Sequence, residues 1–438
     1  MNAREAAYSA LLRYENNASY SNIELDGTIK KYGLSGVEKS FFTALFYGVI
    51  ERTITLDYYI SALSERKIEE IDKNILVILR MGMYQLIYMT KVPESAAVNE
   101  SVTLARRFYA RKNSENFVNA VLRTFIREKG KIKLPDKQKE PIKYLSVKYA
   151  MPEWICEIFK RDYGYARAEK ILNSMNSSPN ITLRVNTLKT TREALREKLA
   201  ADGIKTEFTE FSKNGLRLSS SVPYSSISKY EDEFFVQDEA SQLCVEALDA
   251  KAGEKILDAC ACPGGKSFGI AMQMENDGEI ISADLHKNKL SLIEKGAERL
   301  GISIIRTKER NAATAEEESE IYDRILLDVP CSGLGVIAKK PDIRRKNESD
   351  IERLPEIQKN ILENSAELLK KGGTLVYSTC TINKRENADI IDAFLKEHKE
   401  FSPEPFALSS LSFDGKAEFL PDERETDGFF IAKLKKAK

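Results

Sequence analysis

The sequence predicts a multidomain protein with an all-helical N-terminal domain, a small α+β module and a C-terminal α/β domain. The chain has 438 residues, which is too long for one ordinary domain. Apolar residues recur at helical spacing through the first 129 residues, and strand-like and helix-like segments alternate from Val236 onward. We therefore expect domains at residues 1–135, 142–235 and 236–438.

The N-terminal domain is predicted from four apolar patterns with the period of an α-helix. They cover Ala3–Tyr14, Ile71–Ile87, Val98–Ala105 and Phe117–Phe125. Residues that favour turns or helix ends are expected to separate the helices, namely Gly27, Gly33, Gly36, Pro93 and Asn113. The lysine-rich segment Gly130–Pro141 carries two prolines and is expected to be a linker.

The central module is predicted to be a mixture of helices and short strands. Helical patterns cover Tyr144–Tyr149, Glu153–Tyr163 and Thr191–Ala200. Between them, Thr182–Asn186 alternates as a strand does, and shorter strands are expected after Gly203. These segments together predict a small α+β fold.

The C-terminal domain is predicted from strands and helices that alternate along the chain. Strands are expected at Lys255–Asp258, Glu279–Asp284, Ile302–Thr307, Arg324–Asp328 and Thr374–Ser378. Helices such as Lys287–Leu300 and Leu354–Leu369 lie between them. This order predicts a mainly parallel sheet that is covered by helices on both faces.

Composition narrows the class of protein and its compartment. The six cysteines have no paired spacing, which predicts free thiols in a reducing compartment and hence a cytoplasmic location. The two histidines, His286 and His398, disfavour a histidine-dependent triad and a histidine-rich metal site, so no metal is expected. No segment approaches the length of a bilayer span, so no membrane partner is expected.

The zero net charge conceals a difference between the two halves of the chain. Residues 1–235 hold 37 basic and 29 acidic side chains, whereas residues 236–438 hold 30 and 38. The most biased stretch, Glu100–Lys139, has eleven basic and four acidic side chains. Clustered basic charge favours a polyanionic partner such as RNA or DNA, with a merely solvated helix face as the alternative.

A glycine-containing loop, Asp258–Lys266, follows the first predicted strand of the C-terminal domain. In doubly wound folds a ligand lies at the carboxyl ends of the strands, next to such a turn. A triphosphate loop is disfavoured because the first glycine that it requires is absent. Asp284 ends the next strand and could accept hydrogen bonds from both hydroxyls of a ribose. Together they predict a nucleoside cofactor, with an ordinary strand–turn–helix as the alternative.

Two cysteines follow later strands of the same domain, Cys331 in DVPC and Cys380 in STC. A thiolate that adds to C6 of a cytosine makes C5 able to attack an activated methyl group. Asp328 could stabilise the charge that develops on the N3 side of the ring. The spacing does not decide which thiol is the nucleophile, and a metal-binding pair remains an alternative.

The other cysteines receive a simpler interpretation. A buried cysteine is usually a small apolar filler, and we expect this of Cys156, Cys244 and Cys260. Cys331 and Cys380 differ from them because each follows the C-terminal end of a predicted parallel strand, where the ligands of α/β proteins bind.

The sequence resembles the RsmB (Sun/Fmu) family of 16S ribosomal RNA (cytosine-5-)-methyltransferases. The resemblance is carried by ILDACACPGGK, DRILLDVPCSGLGVIAKKPDI, GGTLVYSTCTI and ETDGFFIAKLKK within residues 236–438. It implies a Rossmann-like domain that uses S-adenosyl-L-methionine. Residues 1–130 resemble the NusB-like helical RNA-binding domain of this family, and residues 142–235 resemble its small RNA-recognition module.

The resemblance also implies roles for individual residues. Cys380 would be the nucleophile, Cys331 would assist product release, and Asp328 would border both cofactor and base. The cofactor would be bound at its methionine end by the loop, at its ribose by Asp284 and at its adenine by Asn311. The loop residues are Cys260, Ala261, Cys262, Pro263, Gly264, Gly265 and Lys266.

The implied reaction is methylation of C5 of cytosine 967 in 16S ribosomal RNA by a monomeric enzyme. The same reaction on transfer RNA or another ribosomal cytosine is an alternative, as is a non-catalytic NusB-like RNA-binding transcription factor. A DNA methyltransferase fits less well, because DNA enzymes of this type place the attacking thiol in the PC segment. Several positions depart from the family pattern: Cys262 replaces an alanine, Asn311 an acid, Arg345 an aromatic residue and Ser267-Phe268 the commoner Thr-Thr.

Overall fold

The structure is a computed structural model that describes residues 2–17, 20–109, 113–177, 179–219, 222–315, 318–423 and 426–438. By packing, the chain forms two compact units. Unit 1 contains Met1–Asn176 and Ile337–Lys346, and unit 2 contains Ser177–Val336 and Asn347–Lys438. Among the described residues, no helix is both long enough and apolar enough to cross a membrane.

Unit 1 is built from α-helices. They are α1 (Ala3–Asn16), α2 (Ser21–Tyr32), α3 (Gly36–Ser64), α4 (Lys73–Tyr88), α5 (Glu94–Phe108), α6 (Ser114–Glu128), α7 (Pro141–Tyr149), α8 (Glu153–Tyr163) and α9 (Tyr165–Ser174). The four helices that the apolar pattern predicts for the first 129 residues are confirmed as α1, α4, α5 and α6. Their apolar faces form a continuous core with α3.

Glycines act differently at three places in unit 1. Gly33 ends α2 in the left-handed region with φ 62°, as its predicted separating role requires. The same prediction is wrong for Gly27, which lies inside α2, because an isolated glycine weakens a helix without ending it. Gly48 lies inside α3, where a Cβ atom would be 1.9 Å from the Tyr84 ring, so it permits close packing of α3 and α4.

The chain leaves unit 2 after Val336 and packs residues 337–346 into unit 1. Within this segment the Asp342 carboxylate accepts hydrogen bonds from the Tyr14 hydroxyl at 2.8 Å and from the Ser21 backbone amide at 3.0 Å. The buried Arg344 guanidinium donates to the backbone carbonyls of Glu51, Ala150 and Met175. The segment is therefore anchored by two charged side chains that hydrogen-bond to groups of unit 1.

Arg345 belongs to the same anchored segment. Its guanidinium donates to the Tyr14 carbonyl at 2.9 Å and lies 4.2 Å from the centre of the Tyr14 ring. The Glu15 carboxylate is 3.7 Å away. Arg345, which stands where the family pattern has an aromatic residue, thus stacks on the Tyr14 ring within unit 1.

Unit 2 contains a four-stranded antiparallel sheet with the strand order β2–β3–β1–β4. Its elements are β1 (Thr182–Val185), α10 (Arg192–Ala201), β2 (Thr206–Phe208), β3 (Gly215–Leu218), α11 (Tyr224–Ile227) and β4 (Phe234–Val236). The strand, helix and short strands predicted for this region are confirmed. A separate apolar core beneath this sheet includes Leu183, Leu195 and Phe234.

The large sheet of unit 2 has the order β10–β14–β9–β8–β5–β6–β7, with β13 paired to β14. Strands β5 to β9 are parallel, and β14 joins β9 antiparallel. The elements are α12 (Glu239–Leu248), β5 (Lys255–Asp258), α13 (Gly265–Gln273), β6 (Glu279–Asp284), α14 (Lys287–Leu300), β7 (Ile305–Glu309), β8 (Tyr322–Asp328), α15 (Leu354–Glu367), β9 (Leu369–Thr379), α16 (Ala388–Glu397), β10 (Phe401–Pro403), β11 (Phe406–Leu408), β12 (Leu411–Phe413), β13 (Lys416–Phe419) and β14 (Phe429–Lys436).

Several predicted boundaries in the C-terminal domain are wrong. The strands expected from Arg324 and Thr374 begin earlier, at Tyr322 and Leu369, and the second ends at Thr379. The strand expected from Ile302 begins at Ile305, because Gly301 ends α14 in the left-handed region and the Ile302 amide bonds back to the Ala297 carbonyl. The helix expected to reach Leu369 ends at Glu367, and Leu369 already begins β9. Both residues are buried, so their apolar character indicates burial without indicating the element that buries them.

Candidate active site

The predicted site residues lie at the carboxyl ends of neighbouring strands in the large sheet. Asp258 ends β5, Asp284 ends β6 and Asp328 ends β8, while Cys380 directly follows β9. Asp328 is directly opposite Ser378 in the pairing of β8 with β9. The parallel strands therefore bring four separated segments of the chain to one edge of the sheet.

Backbone hydrogen bonds hold the loop between β5 and α13 against the end of β6. The Ala261 amide donates to the Ala283 carbonyl at 2.8 Å, and the Cys262 amide donates to Asp284 Oδ2 at 3.3 Å. Gly264 has φ +109°, and a Cβ atom there would lie 2.6 Å from the Phe268 ring. Only glycine fits this position, because φ is left-handed and the Phe268 ring occupies the space of a Cβ atom.

Asp258 is fully buried beneath this loop. Its Oδ2 atom accepts from the Ser267 hydroxyl at 2.6 Å. Its Oδ1 atom has no hydrogen-bond partner among the described residues. Burial raises the pKa of Asp258 to about 7 against the lowering effect of the Ser267 hydrogen bond. A buried acceptor of this kind has spare capacity for a polar ligand.

Lys266 and Asp328 form a partly buried ion pair in the site. Lys266 Nζ lies 2.6 Å from Asp328 Oδ2, and the Ser378 hydroxyl donates to Asp328 Oδ1 at 3.0 Å. Burial alone would lower the pKa of Lys266, but the Asp328 charge outweighs it and the pKa is raised. The sequence predicted Lys266 as a cofactor ligand and did not predict this pairing.

The two predicted thiols are adjacent. Cys331 Sγ and Cys380 Sγ are 3.2 Å apart, and both side chains are partly exposed. The hydrogen bond to Cys380, burial and the nearby Glu386 and Asp328 charges raise the pKa of Cys331 well above its usual value. Cys331 is thus a thiol at neutral pH that can donate its proton to the Cys380 sulfur.

The remaining cysteines differ from this pair. Cys156 and Cys244 are fully buried among apolar side chains, which confirms the filler interpretation for both. Cys260 is only partly buried and lies near the start of the loop that follows β5. Burial, followed by the charges of neighbouring aspartates, raises the pKa of the Cys260 thiol, which makes it a poor nucleophile.

Asn311 lies two residues beyond the end of β7, at the same edge of the sheet as Asp284. The backbone connects them, because the Arg310 amide donates to the Asp284 carbonyl at 3.0 Å. The Asn311 side chain is exposed, and its Oδ1 atom accepts from the Ala313 amide at 3.1 Å. Asn311 is therefore held by its own turn, with its side chain open to solvent.

Glu386 is a buried carboxylate next to the two thiols, and it was not among the predicted site residues. Its oxygens accept hydrogen bonds from Ser332, Gln358 and Asn383. One signal was available, because Asn383 and Glu386 have the spacing of a helix-capping pair just before an apolar helical pattern. That signal predicts a helix start and gives no indication that the carboxylate also contacts the loop after Cys331.

Three family models match separate parts of the chain. The model for the NusB family matches residues 1–127, and a ferredoxin-like domain of RsmF/B-like methyltransferases matches residues 151–225. The model for 16S rRNA methyltransferase RsmB/F matches residues 245–435. They confirm the predicted multidomain class of an all-α NusB-like domain, an α+β module and a Rossmann-like methyltransferase domain.

Relatives match over the full length of the chain. A Bacillus subtilis protein named "Probable ribosomal RNA small subunit methyltransferase B" is 39% identical, with 99% of this chain and 98% of the relative covered. The chain belongs to the RsmB family of ribosomal RNA small subunit methyltransferases. Another RsmB-family protein, from Synechocystis, is 36% identical with both chains covered completely, and one from Photorhabdus laumondii is 31% identical over 91% of each chain.

Solved structures extend the RsmB-family comparison. The crystal structure of PH0851 has a TM-score of 0.83 and 28% identity, and the match covers 99% of this chain and 98% of that one. NSun6 from Pyrococcus horikoshii, solved with SFG, a SAM analogue, has a TM-score of 0.59 and 25% identity. That match covers 66% of this chain and 99% of the NSun6 chain.

Proposed function

We propose that the protein transfers a methyl group from S-adenosyl-L-methionine to C5 of a cytosine in 16S ribosomal RNA, with cytosine 967 as the target. The observation that carries the proposal is the pair of thiols, Cys331 and Cys380, 3.2 Å apart beside the ion pair of Lys266 and Asp328. The RsmB-family membership adds the substrate class. A non-catalytic RNA-binding protein has no use for this arrangement of thiols.

The residues at the strand ends fit S-adenosyl-L-methionine. The loop at Gly264 brings the backbone amides at the start of α13 to the strand ends, and Asp284 presents a carboxylate that can accept from ribose hydroxyls. The unpaired Asp258 Oδ1 atom offers a further acceptor. Asn311 would border the adenine. When bound, the cofactor supplies an electrophilic methyl group on a sulfonium centre.

Cys380 acts as the nucleophile in this proposal. Its thiolate forms a bond to C6 of the cytosine, and the electrons of the C5–C6 double bond make C5 able to accept the methyl group. Elimination then breaks the C6–S bond and restores the C5–C6 double bond, with the C5 proton passing to the Cys331 sulfur as that thiol gives its own proton to Cys380. Cys331 assists release by donating its S–H to the departing Cys380 sulfur, a role that suits a thiol with a raised pKa.

Lys266 and Asp328 orient the base and balance its charge. Asp328 is held by Lys266 and Ser378, so one carboxylate can accept from the exocyclic amine of a cytosine without moving. The Lys266 ammonium lies beside it and stabilises electron density that shifts to the N3 side of the ring. Fixed charges of this kind need no reorganisation during the reaction.

The basic helical region of unit 1 would bind the RNA backbone. Exposed basic residues in the biased stretch include Arg106, Arg107, Arg127, Lys129 and Lys131, and each lies within 4.0 Å of an acidic side chain. Arg123, Lys133 and Lys139 are exposed and have no acidic partner among the described residues. These three are the side chains that we expect to contact phosphates.

Bisulfite sequencing of ribosomal RNA from a deletion strain tests the proposal directly. We expect one cytosine of 16S ribosomal RNA to lose its protection from conversion in that strain, and the gene to restore it. Loss of protection in transfer RNA or at another ribosomal cytosine would mean that the protein performs the same reaction on a different substrate. An unchanged pattern in all RNA would overturn the proposed activity.

A further inference from the structure

One buried carboxylate joins the two loops that carry the thiols. Glu386 is fully buried, and its Oε2 atom accepts from the Ser332 backbone amide at 2.8 Å. Its Oε1 atom accepts from the Ser332 hydroxyl at 2.6 Å and from the Asn383 side-chain amide at 2.9 Å. Ser332 directly follows Cys331, so Glu386 holds the chain immediately beyond that thiol.

The same network reaches the other thiol. The Ser332 hydroxyl lies 2.8 Å from the Thr381 hydroxyl, and Thr381 directly follows Cys380. The side chain of Gln358 on α15 donates to Glu386 Oε2 at 3.0 Å and to the Pro330 carbonyl at 2.9 Å. Residues on both sides of Cys331 and the residue after Cys380 are thus linked to one carboxylate.

Hydrogen-bond donors stabilise the charge of the Glu386 carboxylate. Among the described residues, no lysine, arginine or histidine nitrogen lies within 4.0 Å of its carboxylate. Four donors, two from Ser332 and one each from Gln358 and Asn383, converge on two oxygen atoms. Only a carboxylate can accept all four, because an amide would present an N–H₂ group to some of them.

We propose that Glu386 is a positioning residue for the methyl transfer, which fixes the approach of the Cys331 sulfur to the Cys380 sulfur. The inference rests on the proposed function, since the two sulfurs would act on the same base. A thiol that assists release must stay within hydrogen-bond distance of the nucleophile throughout the reaction. The observed spacing of 3.2 Å meets that requirement.

The Glu386 charge has a second effect on Cys331. The hydrogen bond to Cys380 comes first among the causes that raise the pKa of Cys331, followed by burial and by the charges of Cys380, Glu386 and Asp328. The Tyr377 hydroxyl also interacts with the Cys331 thiol, and it donates to the Glu386 backbone carbonyl at 2.7 Å. Removing the Glu386 charge should therefore lower the pKa of Cys331 and favour its thiolate.

The test compares Glu386→Gln with Glu246→Gln as a matched control. Glu246 on α12 is a partly buried glutamate that also accepts from a serine hydroxyl, at 2.8 Å, but its partner is Ser212, which belongs to neither thiol loop. We expect Glu386→Gln to lower kcat by about 10²-fold, while KM for RNA and cofactor change by less than about twofold. The control should keep the kcat of the unaltered protein. An unchanged kcat in Glu386→Gln would overturn the inference.

A second readout separates this inference from the proposed function. In a Cys380→Ser background, alkylation of Cys331 by iodoacetamide is followed against pH. We expect Glu386→Gln to move the midpoint to lower pH, whereas simple loosening would raise the plateau rate at an unchanged midpoint. An unmoved midpoint contradicts the inference even if the protein methylates no RNA. If Glu386→Gln does not fold, Glu386→Asp keeps the charge but shortens the reach, and it should lower kcat without moving the midpoint.

Discussion

Replacing Gly335 with alanine should push the loop after β8, which carries Cys331 and also bonds the Cys380 carbonyl, away from the loop before β14. The Gly335 amide donates to the Cys380 carbonyl at 3.0 Å, and the Gly428 amide donates to the Gly335 carbonyl at 2.9 Å. A Cβ atom on Gly335 would lie 1.9 Å from the Gly428 carbonyl oxygen. Because contacts below 3.0 Å do not occur, the two backbones must separate by about 1.1 Å.

A separation of about 1.1 Å should change both the folding free energy and the rate of methyl transfer. Overpacking of this size typically costs about 1–3 kcal/mol of folding free energy. A misplacement of about 1 Å in a catalytic group lowers the rate by roughly 10²-fold. Gly335 has an ordinary backbone conformation, so alanine adds only the steric conflict and no backbone strain. We therefore expect a large loss of kcat with a modest loss of stability.

The assay measures initial rates of methyl incorporation into unmethylated 16S ribosomal RNA, together with the thermal denaturation midpoint. Gly130→Ala is the control, because Gly130 has no neighbour within 4 Å of an added Cβ atom and also has an ordinary backbone conformation. It should leave both quantities unchanged. A Gly335→Ala protein with the kcat of the unaltered protein would refute the reasoning, because the Cys380 loop would then tolerate the displacement.

Three further substitutions test other parts of the account. Cys380→Ala should abolish methyl transfer while RNA affinity, measured by filter binding, persists; retained transfer would contradict its role as nucleophile. The pKa of Asp258 is raised to about 7, so the stability contributed by its protonated form is lost as pH rises from about 4 to 7, and Asp258→Asn should flatten that fall in urea denaturation. Replacing Arg123, Lys133 and Lys139 by glutamine should reduce the slope of log affinity against log salt by about 2–3, and an unchanged slope would mean that they do not contact phosphates.

The sequence predicted those helices and strands in which apolar residues recur with the regular spacing of a helix or of a strand. The strands Lys255–Asp258 and Glu279–Asp284 and the helix Lys287–Leu300 have the predicted bounds, because turn residues flank each of them. The helix α2 was not predicted because its only buried residues, Ser21 and Thr28, are polar and Gly27 interrupts its pattern. Apart from β14, the antiparallel strands after residue 400 are only three or four residues long. Strands of that length are too short to show a recurring apolar pattern.

The site was predicted where chemistry is local to a segment and missed where it depends on tertiary contact. The strand-end rule was enough to bring Cys331 and Cys380 together. The Lys266–Asp328 pair joins residues 62 positions apart, and the Glu386–Ser332 bond joins residues 54 positions apart. Spacing along the sequence cannot predict such pairs, because their residues become neighbours only when the parallel strands pair and the loops that follow them come together.

The identity of the sulfur that bonds to the RNA is the central claim, and one measurement tests it. Cys331→Ala protein is incubated with unmethylated 16S ribosomal RNA and S-adenosyl-L-methionine, and adducts that survive denaturation are digested and mapped by mass spectrometry. We predict that a methylated cytosine accumulates on Cys380, because release is slowed while attack is intact. An adduct on any other residue, or a Cys380→Ala protein that still forms one, would contradict the account.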